Sequence, residues 1–141
     1  MRLKTSGSVG MNAYTTDTHS FYRYLTNQRR RLSKAALRAF EEADLGRAII
    51  YVPVIVLCEM WMVNHAEGRR FEFSQLMRAI QSAAQFVVVP LEFEDAAMFD
   101  EFAAIPNDHD RIIAITARRM DAPLITSDAQ IIASRLVKVV R

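Results

Sequence analysis

Four acidic residues of this chain stand where an α/β fold can use them: Asp17, Glu59, Asp110 and Asp128. The stretch 105–131, IPNDHDRIIAITARRMDAPLITSDAQI, reads as a loop, a helix, a turn and a buried strand. Asp110 opens that helix and Asp128 ends that strand. Asp17 ends an earlier strand in the same way, and Glu59 is the one charged residue in the apolar run 54–63. Carboxylates at strand ends lie at the edge where open α/β sheets bind ligands. Two of them about 4 Å apart repel by about 4 kcal/mol at an effective dielectric near 20, so four together need a cation. All-oxygen ligand sets select hard ions, Mg²⁺ or Mn²⁺. A solvent-open cluster of this kind suits attack on phosphodiesters, where positioning and charge do the work and no covalent nucleophile is required.

Each acid also has a plain structural reading. Asp17 and Asp128 each precede a helix and can cap it, since Asp is a good N-cap residue. A helix apolar all round, as 54–63 would be, is buried by the core or by a partner chain. An unpaired carboxylate there costs on the order of several kcal/mol, so Glu59 calls for an arginine or a metal. Ahead of Arg111, the residues Asn107, Asp108 and Asp110 fit a cap equally, and spacing alone leaves open which acid faces a site. Capping explains each acid singly; it explains four at one sheet edge less well.

The elements that must position these acids follow from pattern and punctuation. Residues 12–16 form a short first strand, followed by a helix around 18–26. Ser33 caps a second helix to about Leu45, which Gly46 stops. A β-rich run at 48–52 ends at Pro53, and a third helix spans 54–66. A fourth helix over 74–85 leads into a strand at 86–89 closed by Pro90. Residues 92–104 read as an acidic amphipathic helix. Then come a helix at 111–120, a strand at 124–126, a segment at 129–134 and a last strand at 136–140. Strands alternating with helices argue for an α/β fold, a mainly parallel sheet covered on both faces. Residues 1–10, polar and without periodicity, read as a flexible N-terminal extension with Met11 a second possible start; 11–141 read as a single domain.

Composition narrows the function classes. The chain has 141 residues, 51% apolar and 24% charged, which is enough to bury a core and too apolar for disorder. Its formal net charge is +2, so any contact with nucleic acid must come from a local basic patch rather than a polycationic whole. The single cysteine, Cys58, excludes an internal disulfide and suits a reducing cytoplasm. No GxxxxGK or GxGxxG occurs among only four glycines, which disfavours a phosphate-cradling loop. No apolar run reaches the roughly 18 residues of a membrane span, and no secretory signal pattern opens the chain.

Five pieces in order carry a family resemblance: Asp17-Thr18-His19, Arg31-Leu32-Ser33, Glu59, Asp110-Arg111 and Ala122-Pro123-Leu124-Ile125-Thr126-Ser127-Asp128. Over about residues 12–140 the chain resembles a PIN domain of the VapC type, the ribonuclease toxins of toxin–antitoxin pairs. The resemblance implies a three-layer α/β/α sandwich with a central, mainly parallel sheet of four to five strands. It implies that Asp17, Glu59, Asp110 and Asp128 are the catalytic and metal-holding acids, and that Thr126 assists through its hydroxyl. It selects Asp110 over Asp108, because the family's acid directly precedes the arginine. It also implies a Mg²⁺- or Mn²⁺-dependent endoribonuclease with an RNA substrate, a metal-activated water as nucleophile, a homodimer, and a VapB-like antitoxin that blocks the site. The chain departs from the family pattern at Asn107-Asp108-His109, where a proline is frequent, and at Asp121, where glycine is common. Neither departure removes an acid.

Other residues fit plainer roles. His19, His65 and His109 share no HxxxH or His-Cys spacing and read as surface or supporting residues. Cys58 reads as a buried thiol, Arg29-Arg30-Arg31 as a solvated loop end, and Met60-Trp61-Met62 as core or as a partner-binding face. Arg111 reads as the ion-pair partner of a site acid. Two other classes remain: a catalytically silent module that binds protein or RNA, and a phosphoryl-transfer domain. The second lacks the acid two residues after Asp17 (His19 stands there) and has no well-placed lysine, since Lys138 lies inside the last strand. Within the leading class, a housekeeping RNA-processing nuclease is the alternative to a toxin.

Overall fold

The computed structural model describes residues 11–141; the extension read at 1–10 lies outside the described residues. The chain order is β1 (Asn12–Thr16), α1 (Thr18–Leu25), a 3₁₀ turn (Arg29–Arg31), α2 (Lys34–Asp44), β2 (Ala48–Pro53), α3 (Val54–Ala66), α4 (Phe73–Ser82), β3 (Phe86–Val89), α5 (Phe93–Ala97), α6 (Asp108–Arg119), β4 (Leu124–Ile125), α7 (Ala129–Ser134) and β5 (Val139–Val140). The five strands form one sheet in the order β3-β2-β1-β4-β5. Every pairing is parallel. The expected α/β sheet flanked by helices is therefore what forms, with all strands parallel.

The strand order fixes where a site can lie. From β1 the chain steps outward through β2 to β3, then returns to the other side of β1 for β4 and β5. The direction of crossover thus reverses between β1 and β4, and parallel sheets bind ligands beyond the strand C-termini at such a reversal. Thr15 pairs with Leu124 and Thr16 with Ile125. The Thr15 hydroxyl donates to the Ala122 carbonyl (3.1 Å), and Asp17 N–H donates to the Ile125 carbonyl (3.2 Å). These contacts fix Asp17 beside the turn that carries Asp128.

Packing explains most elements. Phe21 of α1 lies between Phe40 of α2 (ring centroids 6.2 Å) and Phe86 of β3 (5.0 Å, edge-on). Ile50, Met60, Phe102, Ile105, Ile113 and Leu124 are fully buried in the same core. Ser33 accepts from Ala36 N–H as the cap of α2, and Gly46 leaves that helix with φ +77°, as their types foretell. Buried Asn64 ties the chain after α3 down, with its amide bonded both ways to the Phe71 backbone (3.0 and 3.2 Å).

Several readings need correction. The helix expected at 92–104 is helical only over Phe93–Ala97. Beyond it the backbone tightens, with Phe99 N–H donating to Ala96, Ala103 to Asp100 and Ile105 to Phe102, a run of three-residue turns that lets both Phe102 and Ile105 reach the core. The fourth helix begins one residue earlier, capped by Glu72, and stops at Ser82 rather than at 85. The last two strands shorten to two residues each. Cys58 is exposed, not buried. It shares a face of α3 with Val54, Trp61 and Met62, which are also exposed, so the apolar helix is covered on one side only.

α5 is fastened by a single ion pair. Asp95 is fully buried and meets Arg119 of α6 through two bonds, Oδ1–Nε (2.6 Å) and Oδ2–Nη2 (3.0 Å). Arg119 Nη2 also donates to the Pro90 carbonyl (2.9 Å), and Glu92 N–H donates to Asp95 (2.9 Å). Removing one member leaves a desolvated charge. Asp95→Ala should lower stability by about 3 kcal/mol and Tm by roughly 10 °C in thermal unfolding. A shift below a degree or two would mean the pair is dispensable.

Candidate functional site

Each of the four predicted acids is delivered by a different part of the chain. Asp17 follows β1 and caps α1, accepting from Ser20 N–H at 2.9 Å. Asp128 follows β4 and caps α7, accepting from the N–H groups of Gln130 (3.0 Å) and Ile131 (2.9 Å). The capping readings of both are thus correct, and capping also aims them. Asn107, not an acid, caps α6 by accepting from Asp110 N–H (3.0 Å), so Asp110 sits inside the first helical turn. Glu59 projects from the middle of α3. All four line one cleft of about 240 Å³, along with Thr18, His19, Arg23 and Ser127. Asp108 does not line it. A larger hollow of about 480 Å³, bordered by Arg118, Arg135 and Lys138, lies at the opposite sheet edge and holds none of the four.

The electrostatics show the acids acting on one another. Burial raises the Asp110 carboxyl, and the nearby carboxylates of Asp128, Glu59 and Asp17 raise it further, to about 6 from the ordinary 3.8, while His19 pulls it back. Asp17 is also raised, by burial above all; hydrogen bonds from Ser20 and Thr126 oppose this. Thr126 is itself buried, and its hydroxyl accepts from Asp128 N–H (3.1 Å), so it touches both flanking acids.

Glu59 meets no arginine. Its Oε1 accepts from the Thr18 hydroxyl (2.5 Å) and its Oε2 meets His109 Nδ1 (2.9 Å). His109 therefore has a supporting role at the acid. Arg111, expected to pair with a site acid, points away instead: its Nε donates to the Ile105 carbonyl (2.9 Å) and its guanidinium lies over Phe99. His65 bonds the Trp61 carbonyl on the outer face of α3. Thr18, Arg23 and Ser127 were not singled out by sequence. Arg23 lies one helical turn after His19, and that i,i+4 spacing from a residue beside Asp17 was the available signal.

The donor set is carboxylate oxygen throughout, the chemistry that hard divalent cations prefer. Burial is the larger cause of the rise at Asp110, and the repulsion from Asp128, Glu59 and Asp17 is the part such a cation would relieve. Among the described residues, however, no three His, Cys, Asp or Glu side chains are gathered closely enough to hold a metal as they stand. One oxygen each of Asp17 and Asp128 is taken by a cap, and both oxygens of Glu59 are bonded to Thr18 and His109. The donor chemistry fits an ion, and the separations would have to close around it.

The family model for the PIN domain matches residues 14–135. Among solved structures, a chain in the crystal structure of VapBC2 from Rickettsia felis bound to a DNA fragment from their promoter is similar in fold, with a TM-score of 0.65. It is 16% identical, and the alignment covers 90% of this chain and 96% of that one. A comparison with curated proteins finds no match.

The shared field of the acids has a direct readout. Followed by NMR, the Asp110 carboxyl should titrate near about 6, and Glu59→Gln or Asp128→Asn should each move the midpoint down toward 3.8. The folded chain keeps this proton to about pH 6, whereas an unfolded aspartate releases it near 3.8, so this group's contribution to stability falls as pH rises across that interval. A midpoint unmoved by both substitutions would show that the carboxylates do not sense one another.

Proposed function

From the premise that this chain belongs to the PIN domain family, we propose that it is a metal-dependent endoribonuclease, a VapC-like toxin held in check by a VapB-like antitoxin. The observation that supports this most is the meeting of four acids from four separate parts of the chain in one cleft at the crossover reversal. Capping requires only two of them there.

In this reading Asp17, Glu59, Asp110 and Asp128 hold Mg²⁺ or Mn²⁺. When bound, the ion supplies charge neutralisation on the phosphodiester and activation of water for its hydrolysis. The chain's own residues do the remaining work. Asp17 is rigid, because its cap bond and its burial fix its rotamer. Thr126 orients the two flanking acids from beneath. Asp110, raised to about 6, holds a proton below that pH and would have to be ionised to hold the ion, so ion binding would strengthen as pH rises through about 6. Glu59, which bonds Thr18 and His109, would be the fourth carboxylate to hold the ion.

The test is cleavage of a mixed single-stranded RNA panel with Mg²⁺ or Mn²⁺, with and without EDTA. Cutting should need the ion, and Asp17→Ala should lose on the order of a hundredfold or more. A folded, metal-supplied protein that cuts no RNA would sink the nuclease reading and favour a silent binding module.

The partners follow from α3. Its outer stripe, Val54, Cys58, Trp61 and Met62, is exposed and apolar, and Trp61 is of the type that anchors interfaces. The relative crystallised as VapBC2 supports reading an antitoxin as partner. The proposed homodimer buries this stripe. Light scattering should find a dimer, with Trp61→Lys weakening association by about tenfold or more. A monomeric wild type, or an unmoved variant, would exclude α3 as the dimer face.

A further inference from the structure

A second, smaller recess of about 40 Å³ opens beside the acidic cleft. Arg23 and Ser127 line both. Its remaining walls include Ser20, Arg31, Ser33 and Arg141, so it presents three arginines and three serines and no Asp or Glu. Among the described residues none of these arginines has a carboxylate within ion-pair distance, unlike Arg29, Arg70, Arg118 and Arg119. Residues 1–10 contain no acid that could supply one. The one side-chain bond of Arg31 is to Gln28 Oε1 (3.0 Å), which leaves most of its donors free.

We infer that this recess binds an RNA phosphate next to the one held at the acidic cleft, with Arg31 and Arg141 as its cations and Arg23 as the bridge between the two. The inference rests on the nuclease reading above. A strand held in the cleft must leave it, and the neighbouring phosphates are charged. Elsewhere the cleft is walled by the four acids, Thr18, His19 and the apolar Met62 and Val63, which include no arginine or lysine. The Arg23 side alone leads to cations free of acids. A volume near 40 Å³ is about that of one or two phosphate oxygens, since a water occupies roughly 30 Å³ of liquid. It therefore contacts backbone and not a base, and predicts affinity without sequence preference.

The experiment measures binding of a fluorescent mixed-sequence single-stranded RNA in EDTA across a salt series, and cleavage of the same RNA with Mg²⁺ or Mn²⁺. Arg31→Ala and Arg141→Ala should each weaken binding about threefold to tenfold at low salt and flatten the log–log salt slope by about 0.7. In cleavage they should raise KM and leave kcat nearly unchanged. Arg135→Ala and Lys138→Ala, at the opposite hollow, serve as charge-matched controls and should change neither. Equal losses from the controls would mean a diffuse charge effect and overturn the inference. Wild-type slopes and KM values in Arg31→Ala and Arg141→Ala, with wild-type cutting intact, would overturn it while leaving the nuclease standing. A wild type that neither binds nor cuts RNA removes both. An oligoglutamate peptide whose binding depends on these arginines, with RNA binding unaffected, would assign the recess to a protein partner instead.

Discussion

The pairing of β1 with β4 is the constraint on which the site depends. β1 lies at the centre of the sheet, and β4 is only two residues long, so little backbone holds the two together. The Thr15 and Asp17 bonds to the Ala122 and Ile125 carbonyls supply what the short strand cannot. A slip of one residue would turn every side chain of the strand to the opposite face and carry Asp17 away from Asp128. Thr15 and Thr16 are fully buried, an unusual place for hydroxyls, and each hydroxyl is bonded to a backbone carbonyl. Thr15 behaves as a register pin, since its bond crosses to Ala122, whereas the Thr16 bond to the Asp17 carbonyl is local. The β-branched shape keeps the strand extended and the hydroxyl fixes its offset.

Bringing four carboxylates to that edge opposes folding, and the chain offsets the cost locally. Two acids are stabilised by helix N-termini, which supply N–H donors and the positive end of the dipole. Glu59 leans on His109 and Thr18. Asp110 has the least local support, and it is the one pushed up to about 6. The residual repulsion is thus concentrated on a single group. Perturbed titration of this kind marks places where function is set against stability. A ligand of positive charge relieves it, whereas no rearrangement of neutral side chains would.

Much of this was legible in the sequence, and the failures have a common cause. The strands at 48–52 and 86–89 announced themselves because β-branched runs ended in prolines. Asp17 and Asp128 were legible because strand, acid and helix follow one another locally. Choosing Asp110 over Asp108 needed the family pattern, since two residues apart on a helix is a difference of facing that only the tertiary contacts decide. The misreadings all involve distant partners. The acidic helix expected at 92–104 gives way after Ala97 to tight turns that carry Phe102 and Ile105 into a core built by distant elements. No arginine meets Glu59, and its side-chain partner His109 lies 50 residues away with no periodic link. Cys58 and Trp61 were judged by hydrophobicity, which reports that a surface is apolar and not whether this chain or another covers it.

The net charge of +2 conceals a separation that matters for a polyanionic substrate. With the four cleft acids set aside, eighteen lysines and arginines face twelve other acids across the chain. At a distance such a molecule attracts RNA, and at the cleft itself it repels it. The two fields do not cancel, because screening over roughly 10 Å confines the repulsion to the cleft's own neighbourhood. A strand drawn in by the general surplus therefore meets a local barrier at the acids unless a cation neutralises them. Arg23 stands at that boundary, lining the acidic cleft on one side and the arginine recess on the other. In that position an approaching backbone can be held by the recess before the cleft is charged with metal. In the proposed reading, binding and cutting are then separable steps, governed by different residues, with the divalent ion deciding only the second.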